Sequence, residues 1–368
     1  MVYAPRYALS LEVLRAAEAI GAARSVVGLL PLPLVQQREL RRRTLIRVAH
    51  HSTWIENRTL ALEEAAAMIE SKTSLDPSRA KDRAGLEVRN YFEALELIDD
   101  NLDVAPDEAW MRRLHACIMR GGSPGRRREL SEYRESNVRI GNFVYIPPAW
   151  EDVPRLMAEL ATWAITAIDV LPDYVFAAIL AYQFVTIHPF EDGNGRTCRA
   201  LATWVLRRRC DPKGLLNVEE FYVRDLEGYY DSLQMGLHFS YYDANEFGSR
   251  SDPDLSPWLD YFCARLAEAA DQMRGEIERG FRDRHPEILV DPLSELPANL
   301  RRVITALDDV DQPFGVGVVS ARLGVSDRTA RDWIKRWRDA GFVEPTRADA
   351  KRIHGVVLTS RWRELGRT

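Results

Sequence analysis

The sequence is poor in cysteine and lacks the spacings that give cysteine a metal or disulfide role. Its four cysteines, Cys117, Cys198, Cys210 and Cys263, lie far apart in 368 residues and form no CxxC pair. This pattern excludes a zinc framework built on cysteine pairs and a disulfide scaffold. It favours a reducing compartment.

Long apolar runs and a strong charge imbalance are also missing. The longest apolar stretch, YVFAAILAYQFVTI, contains Gln183 and is too short to span a bilayer. The first residues, MVYAPRYALSLEVLR, do not have the basic-then-apolar layout of a signal peptide, so we expect a cytoplasmic protein. A net charge of −5 gives no global case for nucleic-acid binding, although a local basic face would still permit it.

What the sequence does have is helical periodicity, which predicts a mostly α protein. A length of 368 residues with 46% hydrophobic and 29% charged residues suits two or three globular domains. We expect a first helix through LEVLRAAEAIGAARSVVGLL and a second, long helix from about Val35 to Glu70. Further along, the alternation in NVRIGNFVYIPP predicts a short β-hairpin around Gly141–Asn142.

One stretch of twelve residues, HPFEDGNGRTCR, combines several features of an anion site. Gly193 and Gly195 flank Asn194, and they let the backbone adopt a positive φ or bring N–H groups close to a ligand. A helix with the apolar face ALATWVL begins just after them, and a helix N-terminus attracts anions. Arg196 and Arg199 are three residues apart, so they share a helix face and reach the same polyphosphate.

Two further residues of this stretch supply chemistry. Asp192 offers a hard oxygen ligand for Mg²⁺ beside the phosphates. His188 carries an imidazole that takes a proton near neutral pH. Each residue alone also suits an ordinary helix–turn–helix corner with a satisfied histidine and solvated arginines. The combination instead predicts transfer of a nucleotide to a hydroxyl.

The stretch resembles the Fic-family motif HxFx(D/E)GNGRxxR at every defined position, which makes a chance match rare. The resemblance implies a helical-bundle core and transfer of AMP from ATP to a Ser, Thr or Tyr hydroxyl of a protein. The roles it implies are these: His188 deprotonates the hydroxyl, Asp192 holds Mg²⁺, Gly193, Asn194 and Gly195 form the anion hole, Arg196 and Arg199 bind phosphates, Phe190 anchors the loop, and Tyr229 and Tyr230 line the adenine pocket. Paired tyrosines are also common as core and rim residues.

The segment HHSTWIENRTL is similar to a second motif of the family, the inhibitory pattern (S/T)xxxE(G/N). Ser52 and Glu56 lie four residues apart on one helix face, and Asn57 follows. Outside this context such a pair is usually solvated. The resemblance implies that Glu56 pairs with Arg199, keeps it from the γ-phosphate of ATP, and acts within one chain or across a homodimer contact.

The predicted hairpin resembles the family's flap, which docks the target segment by main-chain pairing. Its residues would be Ile140, Gly141, Asn142 and Phe143. The alternative is an ordinary surface hairpin.

From Leu300 the composition shifts, with 14 basic against 9 acidic residues over 301–368. The segment predicts a helix, a turn at Gly324, and a helix capped by Ser326 or Asp327. FVEPTR and GVVLTS would form a wing, and the whole resembles a winged helix-turn-helix domain. Its second helix places four cations on one face, which suits contact with DNA: Arg328, Arg331, Lys335 and Arg338. The alternative is a module for protein contact or domain packing.

Together these features predict a mostly α protein with a Fic-type helical bundle, a short β-hairpin flap and a C-terminal winged-helix domain. We expect an N-terminal helical region at 1–100 with the inhibitory motif, a catalytic core at 101–245, a connector at 246–290 and the winged helix at 291–368. The predicted activity is autoinhibited protein AMP transfer from ATP with Mg²⁺. Two alternatives stay open: removal of AMP by the same site, and a nucleotide-sensing DNA-binding regulator.

Overall fold

The structure is a computed structural model that describes residues 3–29, 33–58, 60–71, 75–121, 129–140, 146–234, 254–282, 296–307, 311–346 and 355–366. The chain divides into two compact units, residues 1–279 and 280–368. As the helical periodicity predicts, the described residues are mostly helical, with one small two-stranded sheet.

Eleven helices lie in the described part of residues 3–282. They are α1 (Leu11–Leu29), α2 (Leu34–Glu56), α3 (Leu62–Glu70), α4 (Ala80–Asp99), α5 (Glu108–Ile118), α6 (Val153–Ala167), α7 (Asp173–Ile187), α8 (Asn194–Arg209), α9 (Glu219–Arg224), α10 (Leu226–Gln234) and α11 (Ser256–Arg282). A 3₁₀ turn at Trp150–Asp152 precedes α6.

Helix α7 is the centre of the first unit. It is apolar on all sides, and Phe176, Tyr182 and Phe184 are almost completely buried. A helix that is hydrophobic all round belongs in a core, and α7 packs closely against α8. No helix in the described ranges is both long enough and apolar enough to cross a membrane. The end of α7 and the start of α8 therefore lie at one rigid corner.

The prediction of one helix from about Val35 to Glu70 is wrong. Helix α2 ends at Glu56, because Asn57 takes an extended conformation with φ −140° and ψ 91°. A new helix then begins at Leu62, and the Glu64 carboxylate accepts a hydrogen bond of 3.1 Å from the Ala61 N–H. A cap of this kind separates two helices even where the apolar residues keep their helical spacing through the break. The break leaves Glu56 in the last turn of α2.

The second unit contains α12 (Ala298–Ile304), α13 (Val316–Leu323), α14 (Asp327–Asp339), the strands β1 (Val343–Pro345) and β2 (Val356–Leu358), and α15 (Ser360–Gly366). The strands are antiparallel, with Val343 opposite Leu358. Gly324 ends α13 at φ 65°, and the Ser326 hydroxyl caps α14 by accepting a 3.2 Å hydrogen bond from the Thr329 N–H. This unit has its own hydrophobic core, which includes Ala330, Ile334 and Trp337.

The flap predicted from sequence falls mostly outside the described residues. Of its four residues only Ile140 is described, and it is half-buried and outside any strand. Gly141, Asn142 and Phe143 lie outside the described ranges.

Candidate active site

His188 follows the last residue of α7 in a left-handed conformation, with φ 53° and ψ 59°. It is the one described non-glycine residue with a positive φ. Its Nδ1 lies 3.2 Å from the carbonyl oxygen of Val185. A carbonyl only accepts, so Nδ1 carries the hydrogen and Nε2 is the nitrogen left to take a proton. Burial lowers the pKa of His188 to about 4, which keeps the imidazole neutral near neutral pH.

The loop after His188 is closed by the side chain of Asn194. The Phe190 N–H donates to Asn194 Oδ1 at 3.0 Å, and Asn194 Nδ2 donates to the Phe190 carbonyl at 2.8 Å. Phe190 and Asn194 are both buried. The amide of Asn194 is thus occupied by the loop, and its backbone N–H is the group that remains for the predicted anion hole.

Gly193 begins the turn into α8 with φ 76°. A Cβ at this position would lie 2.5 Å from Met119 Sδ and 3.2 Å from His115 Nε2. Both the backbone conformation and the space therefore require glycine here.

Gly193→Ala is accordingly expected to lower the free energy of unfolding by about 1–2 kcal/mol, since a left-handed alanine is strained and its methyl group meets Met119. Chemical denaturation of the full chain measures this. Gly21→Ala on α1 is the matched control, because a Cβ there meets nothing within 4 Å. An alanine inside a helix is expected to raise the stability by roughly 0.5–1 kcal/mol. Equal shifts in the two variants would contradict the strain at Gly193.

His115 on α5 holds the same loop, and sequence reasoning missed it. Its Nε2–H donates to the Asp192 carbonyl at 2.8 Å, and its Nδ1 lies 2.6 Å from the Ser131 hydroxyl. The ring stacks on Phe190 with centroids 3.7 Å apart. Burial lowers the pKa of His115 to about 4, so it acts as a neutral structural donor. A lone histidine on an amphipathic helix gives no sequence signal for this contact.

Arg196 and Arg199 are almost completely buried in the first turns of α8. Arg199 Nη2 donates to Glu56 Oε1 at 2.8 Å, and its Nε donates to the Ser52 hydroxyl at 2.8 Å. Arg196 Nε lies 2.9 Å from Glu56 Oε2. One carboxylate from α2 therefore bridges both guanidinium groups of α8, and Ser52 fixes the second of them.

The carboxylate of Glu56 is electrostatically unfavourable at its place in α2 and favourable beside α8. A carboxylate at the C-terminal end of α2 meets the negative end of that helix dipole, which is unfavourable. The same carboxylate lies at the N-terminal turn of α8, where anions are stabilised. A Cβ at Gly195 would lie 2.4 Å from Glu56 Oε1, so the carboxylate sits directly on this turn.

Glu87 on α4 also belongs to this cluster and was not predicted. Its Oε2 lies 3.6 Å from Arg196 Nη1, and the side chain of Asn57 favours its ionised form. Burial raises the pKa of Glu87. The structure thus brings Asn57, the last residue of the inhibitory pattern, against an acid that faces the same arginine.

The two tyrosines of α10 have different surroundings. Tyr229 is buried, and Arg199 Nη1 donates to its hydroxyl at 3.3 Å. Tyr230 is half-buried, and its hydroxyl donates to the Ile55 carbonyl at 3.2 Å. The described contacts thus link Tyr229 to Arg199 and Tyr230 to the last turn of α2, and an adenine-binding role stays a prediction.

Asp192 is the residue predicted to hold a metal ion. Its side chain is 70% exposed, and its Oδ1 accepts a 2.6 Å hydrogen bond from the Gly193 N–H. No group of three ligating side chains occurs among the described residues. One exposed carboxylate beside an anion site fits Mg²⁺, which usually takes one or two carboxylates and completes its shell with substrate phosphates and water.

The comparisons with known proteins agree with this geometry. Residues 105–206 match the Fic/DOC family. The protein adenylyltransferase Fic of Nematostella vectensis is 28% identical over 193 residues, which are 51% of this chain and 42% of that protein. The protein of the same name from Drosophila erecta is 31% identical over 163 residues, 43% of this chain and 31% of that protein. The chain therefore spans less than half the length of these relatives.

A solved structure of a Fic family protein from Desulfovibrio desulfuricans G20 matches with a TM-score of 0.58 at 25% identity, covering 97% of this chain and 99% of that one. The corner between α7 and α8 thus lies within the part of the chain that matches the Fic/DOC family model, and the helical fold is similar to that of a solved Fic family protein.

Proposed function

We propose that the protein is an AMP transferase that moves AMP from ATP to a Ser, Thr or Tyr hydroxyl of a target protein and is held inactive by Glu56. The observation that carries this proposal is the bridging of Arg196 and Arg199 by a carboxylate at the first turn of α8. A turn that accepts the Glu56 carboxylate suits a phosphate, and it follows a neutral histidine whose Nε2 makes no hydrogen bond with a described residue. The names of the related adenylyltransferases support the same reaction.

The reaction follows from the groups at this corner. His188 Nε2 takes the proton of the target hydroxyl as its oxygen attacks the α-phosphorus of ATP. The bond from the α-phosphorus to the bridging oxygen of the β-phosphate breaks, and pyrophosphate leaves. The first N–H groups of α8, together with Arg196 and Arg199, bind the phosphates and stabilise the charge that develops on them. Asp192 would hold Mg²⁺, which when bound offsets the phosphate charge.

The inhibition follows from competition for the same groups. While Glu56 binds both arginines, neither guanidinium is available to the terminal phosphates of ATP. Ser52 strengthens this arrangement, because its hydroxyl and carbonyl oxygens also accept hydrogen bonds from Arg199. Glu56 reaches both arginines within one chain, so the pairing needs no second copy. A homodimer stays a prediction.

Comparing ATP labelled at the α-phosphate with ATP labelled at the γ-phosphate distinguishes AMP transfer from phosphoryl transfer. With ATP labelled at the α-phosphate and Mg²⁺, a Glu56→Gly variant should label protein in a cell lysate, whereas ATP labelled at the γ-phosphate should leave no label. Label from the γ-position would indicate phosphoryl transfer instead. Release of AMP from a modified protein, without any incorporation, would favour the removal reaction, in which Glu56 would orient a water molecule.

A second function is favoured by one face of α14. Arg328, Arg331 and Lys335 are exposed and lie three and four residues apart, and none has an ion pair with a described residue. Unpaired cations on a helix that follows a short turn suit contact with DNA phosphates. We therefore propose that the second unit is a winged helix-turn-helix that binds double-stranded DNA.

Arg331→Glu with Lys335→Glu is expected to weaken duplex binding and to reduce the slope of log K against log salt by about 1 for each phosphate contact that is lost. Fluorescence anisotropy with a labelled duplex over a salt series measures both quantities. Arg302→Glu with Arg322→Glu is the matched control, since it makes the same change in charge on α12 and α13. Equal weakening in both double variants would indicate a general charge effect and no interface on α14.

The four cysteines are free thiols. This supports our proposal that the protein resides in the cytoplasm, where thiols stay reduced.

A further inference from the structure

Arg134 is a buried arginine that donates hydrogen bonds to several backbone carbonyls. It lies in the extended segment between α5 and α6 and is 3% exposed. Its Nε donates to the His188 carbonyl at 2.9 Å, and its backbone N–H donates to the Pro189 carbonyl at 2.9 Å. One residue therefore holds the two peptide groups at which the chain turns from α7 into the motif loop.

The contact with His188 matters because the conformation of that residue is strained. A non-glycine residue in the left-handed region persists only where its surroundings hold it. The position of the His188 carbonyl is fixed by this backbone conformation, and a charge-assisted hydrogen bond to it favours the strained form. Burial above all lowers the pKa of His188, and the positive charge of Arg134 adds to that effect.

The two terminal nitrogens of Arg134 donate to carbonyls that precede and follow the predicted flap in the chain. Nη1 donates to the Ser136 carbonyl at 2.8 Å, and Nη2 donates to the Pro148 carbonyl. These two carbonyls flank residues 141–145 in the chain. A planar guanidinium with a fixed fork of donors suits such a junction, and the point charge of a lysine does not.

We propose that Arg134 is the positioning residue that holds His188 in its left-handed conformation. In this role it places the Nε2 atom of His188 for proton transfer from the target hydroxyl. This inference rests on the proposed AMP transfer. Because Arg134 contacts the backbone at His188 and Pro189, we expect it to act on kcat and to leave nucleotide affinity intact.

The test uses the full chain with Glu56→Gly, to which Arg134→Ala or Arg134→Lys is added. We expect Arg134→Ala to lower kcat about 100-fold, since misplacement of a catalytic group by about 1 Å costs that much. The dissociation constant for ATP, measured by calorimetry, should stay within about twofold. Arg134→Lys should recover part of the rate, and added guanidinium, well below denaturing concentrations, should restore part of the activity of Arg134→Ala.

Arg208→Ala is the matched control. Arg208 also donates to a backbone carbonyl, that of Leu102 at 2.6 Å, at the other end of α8 from the motif loop. Its rate should stay close to that of Glu56→Gly alone. An unchanged kcat in Arg134→Ala would overturn the proposal. So would an equal loss of ATP affinity with no rescue by guanidinium, which would mark a structural role. Absence of label in Glu56→Gly itself would instead overturn the proposed AMP transfer, and the inference with it.

Discussion

Glu56→Gly is expected to raise AMP incorporation at least tenfold and up to about 100-fold. The carboxylate of Glu56 makes a charged contact of 2.8 Å to Arg199 and another of 2.9 Å to Arg196. A hydrogen bond to a charged group contributes about 1.5–3 kcal/mol, and each 1.4 kcal/mol corresponds to a factor of ten. Loss of the hydrogen bond to Arg199 alone therefore accounts for a gain of at least tenfold. Incorporation from ATP labelled at the α-phosphate measures the gain.

The same variant should be less stable without nucleotide and should respond more strongly to it. Arg196 and Arg199 are buried, and removal of one partner from a buried ion pair leaves an uncompensated charge. Phosphates that bind to these arginines restore the compensation. A lower Tm in the absence of ATP, with a larger rise on adding ATP than in the unaltered protein, is the expected outcome of a thermal scan.

The matched control is Glu70→Gly, because Glu70 is the last residue of α3 as Glu56 is of α2. Glu70 pairs with Arg42 at 3.4 Å on the surface, where an ion pair contributes little. This control reproduces the loss of helix propensity and of one charge without touching α8. Equal incorporation by Glu56→Gly and by Glu70→Gly would contradict inhibition by Glu56.

His188→Ala in the Glu56→Gly background is expected to lower kcat about 100- to 10,000-fold, which is the usual contribution of a general base. ATP affinity should change little, since in the described structure the imidazole contacts the Val185 carbonyl and not the arginines of the anion site. Single-turnover labelling and calorimetry separate the two quantities. A loss of ATP affinity as large as the loss of rate would argue against a role in proton transfer.

The pH profile follows from the same residue. Burial lowers the pKa of His188 to about 4, and the charged groups that act on it are Arg134, Glu56 and Asp192. The neutral form is the base, so kcat should rise with pH through about 4 and be flat from about 6 to 8. A rise in kcat with a midpoint near pH 6.5, the ordinary pKa of histidine, would mean that His188 is solvated during the reaction.

How much the sequence reveals of the site depends on how far each contact reaches along the chain. The turn at Gly193 and the anion site at the start of α8 follow from residues within one turn of helix, so HPFEDGNGRTCR is enough to predict them. The pairing of Glu56 with Arg199 joins residues 143 positions apart. It was predicted from the resemblance to the inhibitory pattern, because helical spacing alone does not distinguish Glu56 from a solvated acid.

His115, Glu87 and Arg134 had no signal in the sequence. Each lies on an element that is distant along the chain from the residue it contacts, and an isolated histidine, glutamate or arginine fits many environments. The end of α2 was mispredicted for a related reason. The apolar pattern continues past Glu56, while the break depends on the extended backbone of Asn57 and on the cap at Ala61.

The sequence by itself determined the helical class, and it predicted the turn at Gly193, an anion site there and a base at His188, because these depend on periodicity and on residue types within a few positions. Only the tertiary structure decided which charges surround the arginines and which side chains contact the loop after His188. Those contacts arise where α2, α4 and α5 pack beside α8, and a buried charge is stabilised by whichever partner the packing brings near.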